Sequence, residues 1–376
     1  MGNRCIVHIV AKRPHGGIGS VLKNIELNRD PFLFNFIYLF AEDYREKSFD
    51  EYVRSYHGEV CVLPQLTFPF GFLKYIIATY SFYKKNAGRI VAVHVHAPNM
   101  ALLHFVCAKF FKIRIRILHS HSTRYSESKV KGIINAVLVF FSKFFVTHKV
   151  ACGKDAAQFF FGKHHEKDVF IFHNAIDTRL YTYNEEIRNK MREELHLKYS
   201  FVYGHVGNFY EVKNHSFLID VFAAIKKQQP SAKLLLVGRG PLQKTIEEKV
   251  SVLGLQENVL FLGYRKDVRD LLMAMDIFLF PSLFEGFPVS LVEAQCTGLP
   301  CLISNTITSE VSITNLIKFL PIGQKNIVKW EETAIALSSK KDERKSYSMK
   351  VQNMGYNLKH EIESLDKYYV ELCKEI

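Results

Sequence analysis

Short apolar segments alternate with helical patterns along this chain, and no other feature limits its possible folds as strongly. The first strand candidate, CIVHIVA at 5–11, leads into the helical pattern GGIGSVLKNIEL at 16–27. Strands that alternate with helices form βαβ units, and successive units build a parallel sheet covered by helices. The first half of the chain therefore predicts an α/β domain. Its further strand candidates are FNFIYLF (34–40), EVCVLP (59–64), RIVAVHVH (89–96), IRIRILHSH (113–121), the start of KVACGKDAAQFF (149–160), and DVFIFHNAID (168–177).

A second series of the same kind begins after the charged segment TYNEEIRNKMREELHLK at 182–198, which we interpret as a separator. A chain of 376 residues is about right for two domains of ~150–200 residues each. We predict two Rossmann-like domains, residues 1–183 and 184–353, followed by a C-terminal helix at 354–376 that returns to the first domain. The strand candidates of the second series are FVYGHVGN (201–208), AKLLLVGRG (232–240), NVLFLGY (258–264), MDIFLFPS (275–282) and LPCLIS (299–304).

Cysteine usage and the apolar segments predict a protein of a reducing compartment. The seven cysteines form no CxxC pair and no cluster with histidine, which argues against disulfides and structural zinc. The first apolar run ends at Lys12 and Arg13 and does not read as a signal peptide. The longest apolar stretch, 133–146, is interrupted by Lys143 and falls short of the ~20 residues that span a bilayer. We expect a cytoplasmic protein.

Positive charge is concentrated in the first half of the chain. The net charge is +13, and residues 1–190 hold 27 Lys and Arg against 15 Asp and Glu, together with 12 of the 16 histidines. This asymmetry predicts an anionic partner or, alternatively, a solvated basic face. No known nucleic-acid module is present, so we expect no nucleic-acid partner. We expect instead that the chain binds peripherally to the anionic inner face of the cytoplasmic membrane. Basic and apolar residues interleave at 68–85, 109–116 and 122–145.

The segment PSLFEGFPVSLVEAQCTGLP at 281–300 predicts a turn that opens a helix at the carboxyl end of a strand. Open α/β sheets bind ligands at this edge. Gly286 lets the backbone approach a ligand, and Pro288 suits the first helical position, where a missing N–H costs nothing. The N–H groups that follow, at 289–292, form a phosphate site at the helix start.

Two glutamates, Glu285 and Glu293, lie on either side of that turn. A carboxylate one turn into the helix suits the vicinal hydroxyls of a ribose, and one before the turn suits a sugar beyond the phosphates. The pattern therefore predicts a nucleotide-sugar site. The alternative is a helix-capping glutamate beside a solvated one.

These residues resemble the Glu-seven-Glu motif of the retaining glycosyltransferases of the GT-B fold, family 4, especially the bacterial exopolysaccharide and capsule branch. The resemblance covers most of the chain. It implies an α/β fold of two Rossmann-like domains that face a cleft, with the C-terminal helix packing back across the domains. Further matching motifs, in the order of that family, are GGIG (16–19), HVHAPN (94–99), ILHSHS (117–122), HNAID (173–177), VGNFYEVKNH (206–215), LLLVGRGP (234–241) and FLGYRKDV (261–268).

The resemblance also implies which residues bind the donor. Lys213 would neutralise the diphosphate as a point charge, and Gly17 would offer its N–H to the same phosphates. Glu285 would bind the transferred sugar, and Glu293 the ribose. In addition Leu291 and Val292 would hold phosphate through their N–H groups, Tyr264 and Arg265 would flank the base, and Arg239, Gly207, Asn208, Gly286, Phe287 and Pro288 would line the site.

Two positions depart from the pattern of that family. Asn208 stands where arginine is usual, so one of two phosphate cations is missing, and Asn305 stands where an acidic residue is common. Another cation of the basic first domain could replace the arginine; otherwise donor binding is weaker. No D-x-D pair occurs that would hold a divalent ion on the diphosphate. We therefore expect metal independence and no cofactor.

Histidines cluster at the strand ends of the first half. His119 and His121 lie on the same side of a predicted strand by alternation. The resemblance implies that one of them contacts the hydroxyls of the donor sugar, and we favour His121, the nearer to the loop, over His119; the alternative is a histidine packed in the core. Two HxH pairs, which add His94 and His96, could ligate zinc, yet no carboxylate lies near in the sequence, so we expect no metal site.

Together these patterns predict a retaining glycosyltransferase. It would move a hexose or N-acetylhexosamine from a nucleotide-diphosphate sugar, most simply a UDP-sugar, to a lipid-linked saccharide acceptor in exopolysaccharide or capsule synthesis. One alternative is a sugar-nucleotide epimerase of similar build, which needs no acceptor. Another is a non-catalytic sugar-nucleotide-binding subunit, which the asparagine at 208 makes conceivable.

Overall fold

The structure, a computed structural model, describes residues 4–12, 16–41, 48–67, 70–126, 128–338 and 343–374. The chain divides into two compact units, residues 1–174 with 358–376 and residues 175–357. Parts of three predicted segments, at residues 68–69, 127 and 375–376, lie outside the described residues.

This division differs from the predicted domain boundaries at 183/184 and 353/354. Residues that precede the predicted boundary join the second unit through side-chain hydrogen bonds. The Thr178 hydroxyl donates to Gln352 Oε1 over 3.2 Å, and the Tyr181 hydroxyl donates to Glu293 Oε1 over 2.7 Å. The chain therefore enters the second unit before the charged segment begins.

Seven parallel strands form the sheet of the first unit. They are β1 (Cys5–Lys12), β2 (Asn35–Ala41), β3 (Glu59–Leu63), β4 (Ile90–Val95), β5 (Ile115–Ser120), β6 (His148–Ala151) and β7 (Val169–Ile171). Their spatial order is β3-β2-β1-β4-β5-β6-β7. The order reverses between β1 and β4, whose carboxyl ends flank the crevice where open α/β sheets bind ligands.

Helices connect these strands. They are α1 (Gly16–Asn28), α2 (Ser48–Ser55), α3 (Phe70–Asn86), α4 (Ala101–Phe110), α5 (Lys129–Ser142) and α6 (Lys154–Phe161). A strand covered on both faces reads as a continuous apolar run, and β1 is buried from Cys5 to Val10. The helices α3, α4 and α5 pack against one another in that order. Among the described residues, no helix has both the length and the apolar character that crossing a membrane requires.

Six parallel strands form the sheet of the second unit. They are β8 (Val202–Val206), β9 (Lys233–Val237), β10 (Val259–Gly263), β11 (Ile277–Phe280), β12 (Cys301–Ser304) and β13 (Ile317–Leu320). Their order, β10-β9-β8-β11-β12-β13, reverses between β8 and β11. Both units are therefore doubly wound, with one switch point each.

The helices of the second unit are α7 (Glu185–Glu194), α8 (His215–Gln228), α9 (Gln243–Val252), α10 (Val268–Ala274), α11 (Val289–Cys296), α12 (Ile327–Ser338) and α13 (Tyr347–Asn353). The charged segment interpreted as a separator is in fact α7. Asn184 caps it by accepting from the N–H groups of Glu186 and Ile187, and Arg188 and Arg192 both pair with Asp276. The polar residues of this segment thus fasten a helix to the second sheet.

The last helix, α14 (Leu358–Leu372), belongs to the first unit. Its apolar residues recur at helical spacing, and Ile362, Leu365 and Tyr369 are buried. Asp366 Oδ2 accepts from the Asp30 N–H over 3.0 Å, which ties the helix to the end of α1. It begins four residues later than predicted, after the Asn357 bridge of the second unit.

Candidate functional site

Two loops meet at the switch point of the second sheet. Residues 207–213 follow β8, and residues 281–288 follow β11. The Leu283 N–H donates to Val212 O over 2.8 Å, and Asn214 Nδ2 donates to Pro281 O over 3.2 Å. The structure therefore brings together two segments that sequence analysis assigned to one ligand, at the sheet edge where ligands of open α/β sheets bind.

Lys213 and Glu285 form an ion pair between these loops. Lys213 Nζ donates to Glu285 Oε1 over 2.6 Å, and the side chains are only 18% and 14% exposed. The amine also lies 5.0 Å from the centroid of the Phe280 ring. An ammonium group has three N–H donors, so Lys213 keeps donors for a phosphate while it is paired with Glu285. The Glu285 carboxylate likewise keeps the capacity to accept hydrogen bonds from hydroxyls.

Glu293 occupies the middle of α11 and is partly buried. Its Oε1 accepts from the Tyr181 hydroxyl over 2.7 Å. Burial raises the pKa of Glu293 to about 7, and the hydrogen bond from Tyr181 opposes that change. Burial beside this carboxyl also raises the pKa of Tyr181. The pair therefore presents an acceptor whose charge changes near neutral pH.

Glycines allow the loop after β9 to lie directly on the loop after β8. Gly238 has φ 143°, and a Cβ there would come within 2.2 Å of Gly207 O. At Gly240 a Cβ would come within 2.6 Å of Phe209 O. Only glycine fits such close backbone contact. Arg239, between the two glycines, is exposed, and its carbonyl accepts from the Phe209 N–H over 3.1 Å.

The start of α11 differs in detail from the prediction. Pro288 is the residue before the helix rather than its first residue, and its carbonyl accepts from the Leu291 N–H over 3.1 Å. Val289 and Ser290, which come before Leu291, lie in the first turn, where N–H groups have no carbonyl of their own helix to bond. The side chains of Leu291 and Val292 are fully buried. The predicted phosphate donors thus move towards the first two helical residues.

The turn between the glutamates is held by an aromatic contact. Phe287 is buried, and its ring stacks on Tyr356 at 5.5 Å with an interplanar angle of 12°. Gly286 precedes it and is partly buried. Asn208, at the β8 loop, accepts from the Tyr210 N–H through its backbone carbonyl.

Arg265 has partners that sequence analysis did not foresee. Its guanidinium forms a fork with Asp267 at 2.7 and 2.6 Å and lies 3.7 Å from Glu194. Hydrogen bonding from Arg265 holds the pKa of Asp267 below its ordinary value. Tyr264, predicted to flank the base with it, is 64% exposed. Of these two side chains, Tyr264 is therefore the one that lies exposed at the surface.

In the first unit, Gly17 lies in the first turn of α1, and a Cβ there would meet no atom within 4 Å. The predicted position of His119 and His121 on one side is confirmed, because their rings lie 3.8 Å apart at an angle of 29°. They belong to a larger group with His8, His94 and His96, from β1 and the end of β4. We call these five residues the histidine cluster.

The sequence profile of the family described as Glycosyl transferases group 1 matches residues 186–354. This match lies within the second unit and contains both loops of the switch point. The second unit is a group 1 glycosyltransferase domain.

Some relatives are similar to this chain well beyond the second unit. The putative glycosyltransferase EpsF of Bacillus subtilis (strain 168) is 29% identical over 97% of this chain and 96% of its own. An Escherichia coli protein, UDP-Gal:alpha-D-GlcNAc-diphosphoundecaprenol alpha-1,3-galactosyltransferase, is 24% identical over 80% of both chains. The crystal structure of Anabaena Alr3699/HepE in complex with UDP and glucose superposes with a TM-score of 0.76 at 18% identity, covering 99% of this chain and 100% of that one. The predicted GT-B fold is confirmed.

Sequence reasoning missed three residues around the candidate sites of the two units. Tyr181 reaches Glu293 from 112 positions away. His8 joins the histidine cluster from an apolar strand, and the Tyr369 hydroxyl lies 2.6 Å from His94 Nδ1. Of these three residues, only His8 could have been noticed in the sequence, because it is a histidine within a predicted buried strand. Nothing in the sequence pointed to the two tyrosines.

Proposed function

We propose that this glycosyltransferase transfers a hexose or N-acetylhexosamine from a UDP-sugar to a lipid-linked saccharide, with retention of anomeric configuration. The product would serve exopolysaccharide or capsule synthesis. The reaction needs no divalent ion on the donor diphosphate. One observation carries the proposal: a partly buried lysine–glutamate pair lies beside the start of α11 at the switch point of the second sheet.

Within this site the diphosphate, the ribose and the transferred sugar of a UDP-sugar each have a chemical partner. Lys213 donates to the diphosphate with the N–H groups that Glu285 leaves available, and the start of α11 adds its amide donors and dipole. Glu293, held by Tyr181, accepts from the ribose hydroxyls. Glu285 accepts from the hydroxyls of the transferred sugar, and its contact with Lys213 keeps it next to the phosphates.

Arginine is usual at position 208 in the family that this chain resembles, and here the position is Asn208. We assign the missing positive charge to Arg239. Its backbone is hydrogen-bonded to the residue after Asn208, and its exposed guanidinium lies over Gly263, where a Cβ would come within 3.4 Å of Nε. Among the described residues, Arg239 has no ion-pair partner. Arginine also suits a phosphate better than lysine does, because its fork can bind two oxygens at once.

The names of relatives support the choice of donor and acceptor. The Escherichia coli relative is named for UDP-Gal and for a diphosphoundecaprenol-linked acceptor. The Anabaena structure contains UDP and glucose. By analogy we assign a UDP-sugar and an isoprenoid-diphosphate-linked saccharide to this chain.

A surface of the first unit fits a membrane that contains such an acceptor. The helices α3, α4 and α5 expose large apolar side chains side by side, and the basic residues Lys129, Lys131 and Lys143 lie along α5. Monomeric proteins rarely expose a continuous apolar surface of this kind, and lysines beside it favour anionic headgroups. We call it the α3–α5 surface; its exposed members are Phe70, Phe72, Leu73, Ile77, Tyr80, Val106, Phe110, Val130, Ile133, Ile134, Val137, Phe140, Phe141 and Phe144.

For the first unit we keep the sequence prediction that His121, with His119 beside it, acts in the transfer. Burial lowers the pKa of His121 to about 4, so its imidazole is neutral at pH 7. A neutral imidazole can donate one hydrogen bond to a sugar hydroxyl without adding charge. His121→Ala should therefore lower the rate of transfer.

A transfer assay tests the proposal. The purified chain is incubated with a panel of UDP- and GDP-sugars and an isoprenoid-diphosphate-linked N-acetylhexosamine, without added Mg²⁺ or Mn²⁺. We expect a disaccharide product with one UDP-sugar, and its NMR spectrum should show the anomeric configuration of the donor. Product that appears only with added Mg²⁺ or Mn²⁺ contradicts metal independence, and an epimerised sugar from donor alone indicates the epimerase.

Matched lysine variants connect the activity to the site. Lys213→Ala should lower kcat/KM by roughly 100-fold, the loss typical of removing one fixed donor to developing charge. Lys249→Ala is the control, because Lys249 Nζ also pairs with a carboxylate, Asp220 Oδ1 at 2.6 Å, in the same unit. Equal losses in both variants would contradict the assigned role of Lys213.

A further inference from the structure

The histidine cluster lies at the switch point of the first sheet, where β1 and β4 end side by side. His8 and His94 are register partners on these strands. On β5 the partner of His94 is Ile117 and that of Val95 is Leu118, so His119 lies level with His96 just beyond the paired residues. Four of the five side chains are at most 2% exposed, and His121 is partly buried. The proposed function uses His121 and His119 and leaves the other three imidazoles without a role.

Hydrogen bonds assign the nitrogen atoms of the cluster. His8 Nδ1 lies 2.9 Å from His96 Nε2, and His94 Nε2 lies 3.1 Å from His119 Nδ1. His96 Nδ1 then faces His121 Nε2 at 2.9 Å. The remaining nitrogen of His119, Nε2, is buried and has no hydrogen-bond partner among the described residues. A buried nitrogen of this kind destabilises the folded chain unless a ligand satisfies it.

We propose that His96, His119 and His121 bind a divalent transition-metal ion, with Zn²⁺ as the expected occupant. One nitrogen from each of the three lies within 4.8 Å of the others. Around Zn²⁺, with Zn–N distances of 2.0–2.1 Å, tetrahedral nitrogens are roughly 3.3 Å apart, so small rotations of the rings suffice. Three histidines leave a fourth position open, as in zinc sites that bind a water molecule or a further ligand.

The other two histidines act as supports for the ligands. Metal-binding histidines usually hydrogen-bond through their second nitrogen, which fixes the ring orientation. Here His8 holds His96, and His94 holds His119, while the Tyr369 hydroxyl in turn lies 2.6 Å from His94.

The chemistry of the cluster favours Zn²⁺ over harder ions. An all-imidazole set suits zinc, copper and nickel, whereas magnesium and calcium require oxygen ligands. This ion is distinct from one on the donor diphosphate, where Lys213 supplies the charge.

Metal binding can be measured without any transferase assay. The untagged full-length chain is freed of metal by chelation and titrated with Co²⁺, whose visible absorption reports tetrahedral nitrogen ligation, and then with Zn²⁺ in competition. We expect one Co²⁺ per chain, displaced by one Zn²⁺, and a higher melting temperature with Zn²⁺. Absence of visible bands, or no displacement by Zn²⁺, would overturn the proposal and leave a chain of hydrogen-bonded neutral histidines.

Variants assign the site to the cluster. His119→Gln and His121→Gln should each abolish the cobalt spectrum. If the His119→Gln chain does not fold, His121→Gln still tests the metal site, because His121 is only partly buried. His94→Phe, which removes only a support, should weaken binding by roughly 10–100-fold. The control is His104→Gln, because His104 is equally buried in the first unit but, within the described part of the chain, hydrogen-bonds only to tyrosine hydroxyls, at 3.1 and 3.2 Å. Loss of cobalt binding in this control, or its persistence in both cluster variants, contradicts the assignment.

Discussion

Replacing Glu293 with glutamine should make the second unit more stable at alkaline pH while it weakens the donor site. The carboxyl is partly buried, and its pKa rises from 4.5 to about 7 in the folded chain. The folded chain therefore binds this proton more tightly than the unfolded chain does. Stability contributed by the protonated group is complete below about pH 4.5 and is lost as the pH rises towards 7.

The size of the effect follows from the two pKa values. The difference between 4.5 and about 7 corresponds to roughly 3 kcal/mol at most, since one pKa unit equals 1.36 kcal/mol. Glutamine keeps an oxygen for the Tyr181 hydroxyl but never ionises. Glu293→Gln should thus gain about 3 kcal/mol over the parent chain at pH 8 and only about 1 kcal/mol at pH 5. Donor affinity should fall by about tenfold, because charged hydrogen bonds to the ribose become neutral ones.

Tryptophan fluorescence during urea unfolding measures this stability in the correct unit. The chain has one tryptophan, Trp330, and it is fully buried in the core of the second unit. Glu285→Gln is the control, since it leaves Lys213 without its anionic partner and should lose stability at both pH values. A Glu293→Gln chain with no gain at pH 8, or with equal gains at pH 5 and pH 8, would refute the reasoning.

Three further predictions concern other parts of the chain. Gly238→Ala should destabilise the second unit by about 2–4 kcal/mol, because φ is positive at this residue and the new Cβ would overlap a carbonyl oxygen. The same fluorescence assay measures this change, and unchanged stability would contradict the close packing. Tyr181→Phe should raise the KM for the donor by roughly tenfold with little change in kcat, because Glu293 loses a hydrogen bond; an effect on kcat alone would oppose this. On the α3–α5 surface, a chain with both Ile133→Ser and Phe140→Ser should float less with phosphatidylglycerol vesicles. Val252→Ser, at a still more exposed apolar residue of the second unit, should not.

The central strands of both sheets were predictable because a strand that is buried on both faces consists of a continuous run of apolar residues. The strand β13 was missed: it is four residues long, lies at a sheet edge and carries the exposed Lys318. The helix α7 was taken for a separator because most of its surface is charged, and only contacts with Asp276 reveal that it is part of the fold.

The candidate site was predictable in part for a related reason. Local spacing placed Glu285 and Glu293 on either side of a turn that follows a strand, and the family resemblance added Lys213 after another strand. The doubly wound topology then brings the ends of these strands together. The partners of individual side chains depend on contacts between distant segments. Tyr181 against Glu293, and Asp267 against Arg265, are examples that no local pattern records.

The most direct test of the account is calorimetric titration of UDP and of the accepted UDP-sugar into three chains. The account predicts that Glu293→Gln weakens UDP and UDP-sugar by the same factor, because both contain the ribose. It predicts that Glu285→Gln weakens only the UDP-sugar, because UDP lacks the ring that this carboxylate binds. If Glu285→Gln weakens UDP as much as the UDP-sugar, or if neither variant changes either affinity, the two glutamates do not bind the donor as assigned.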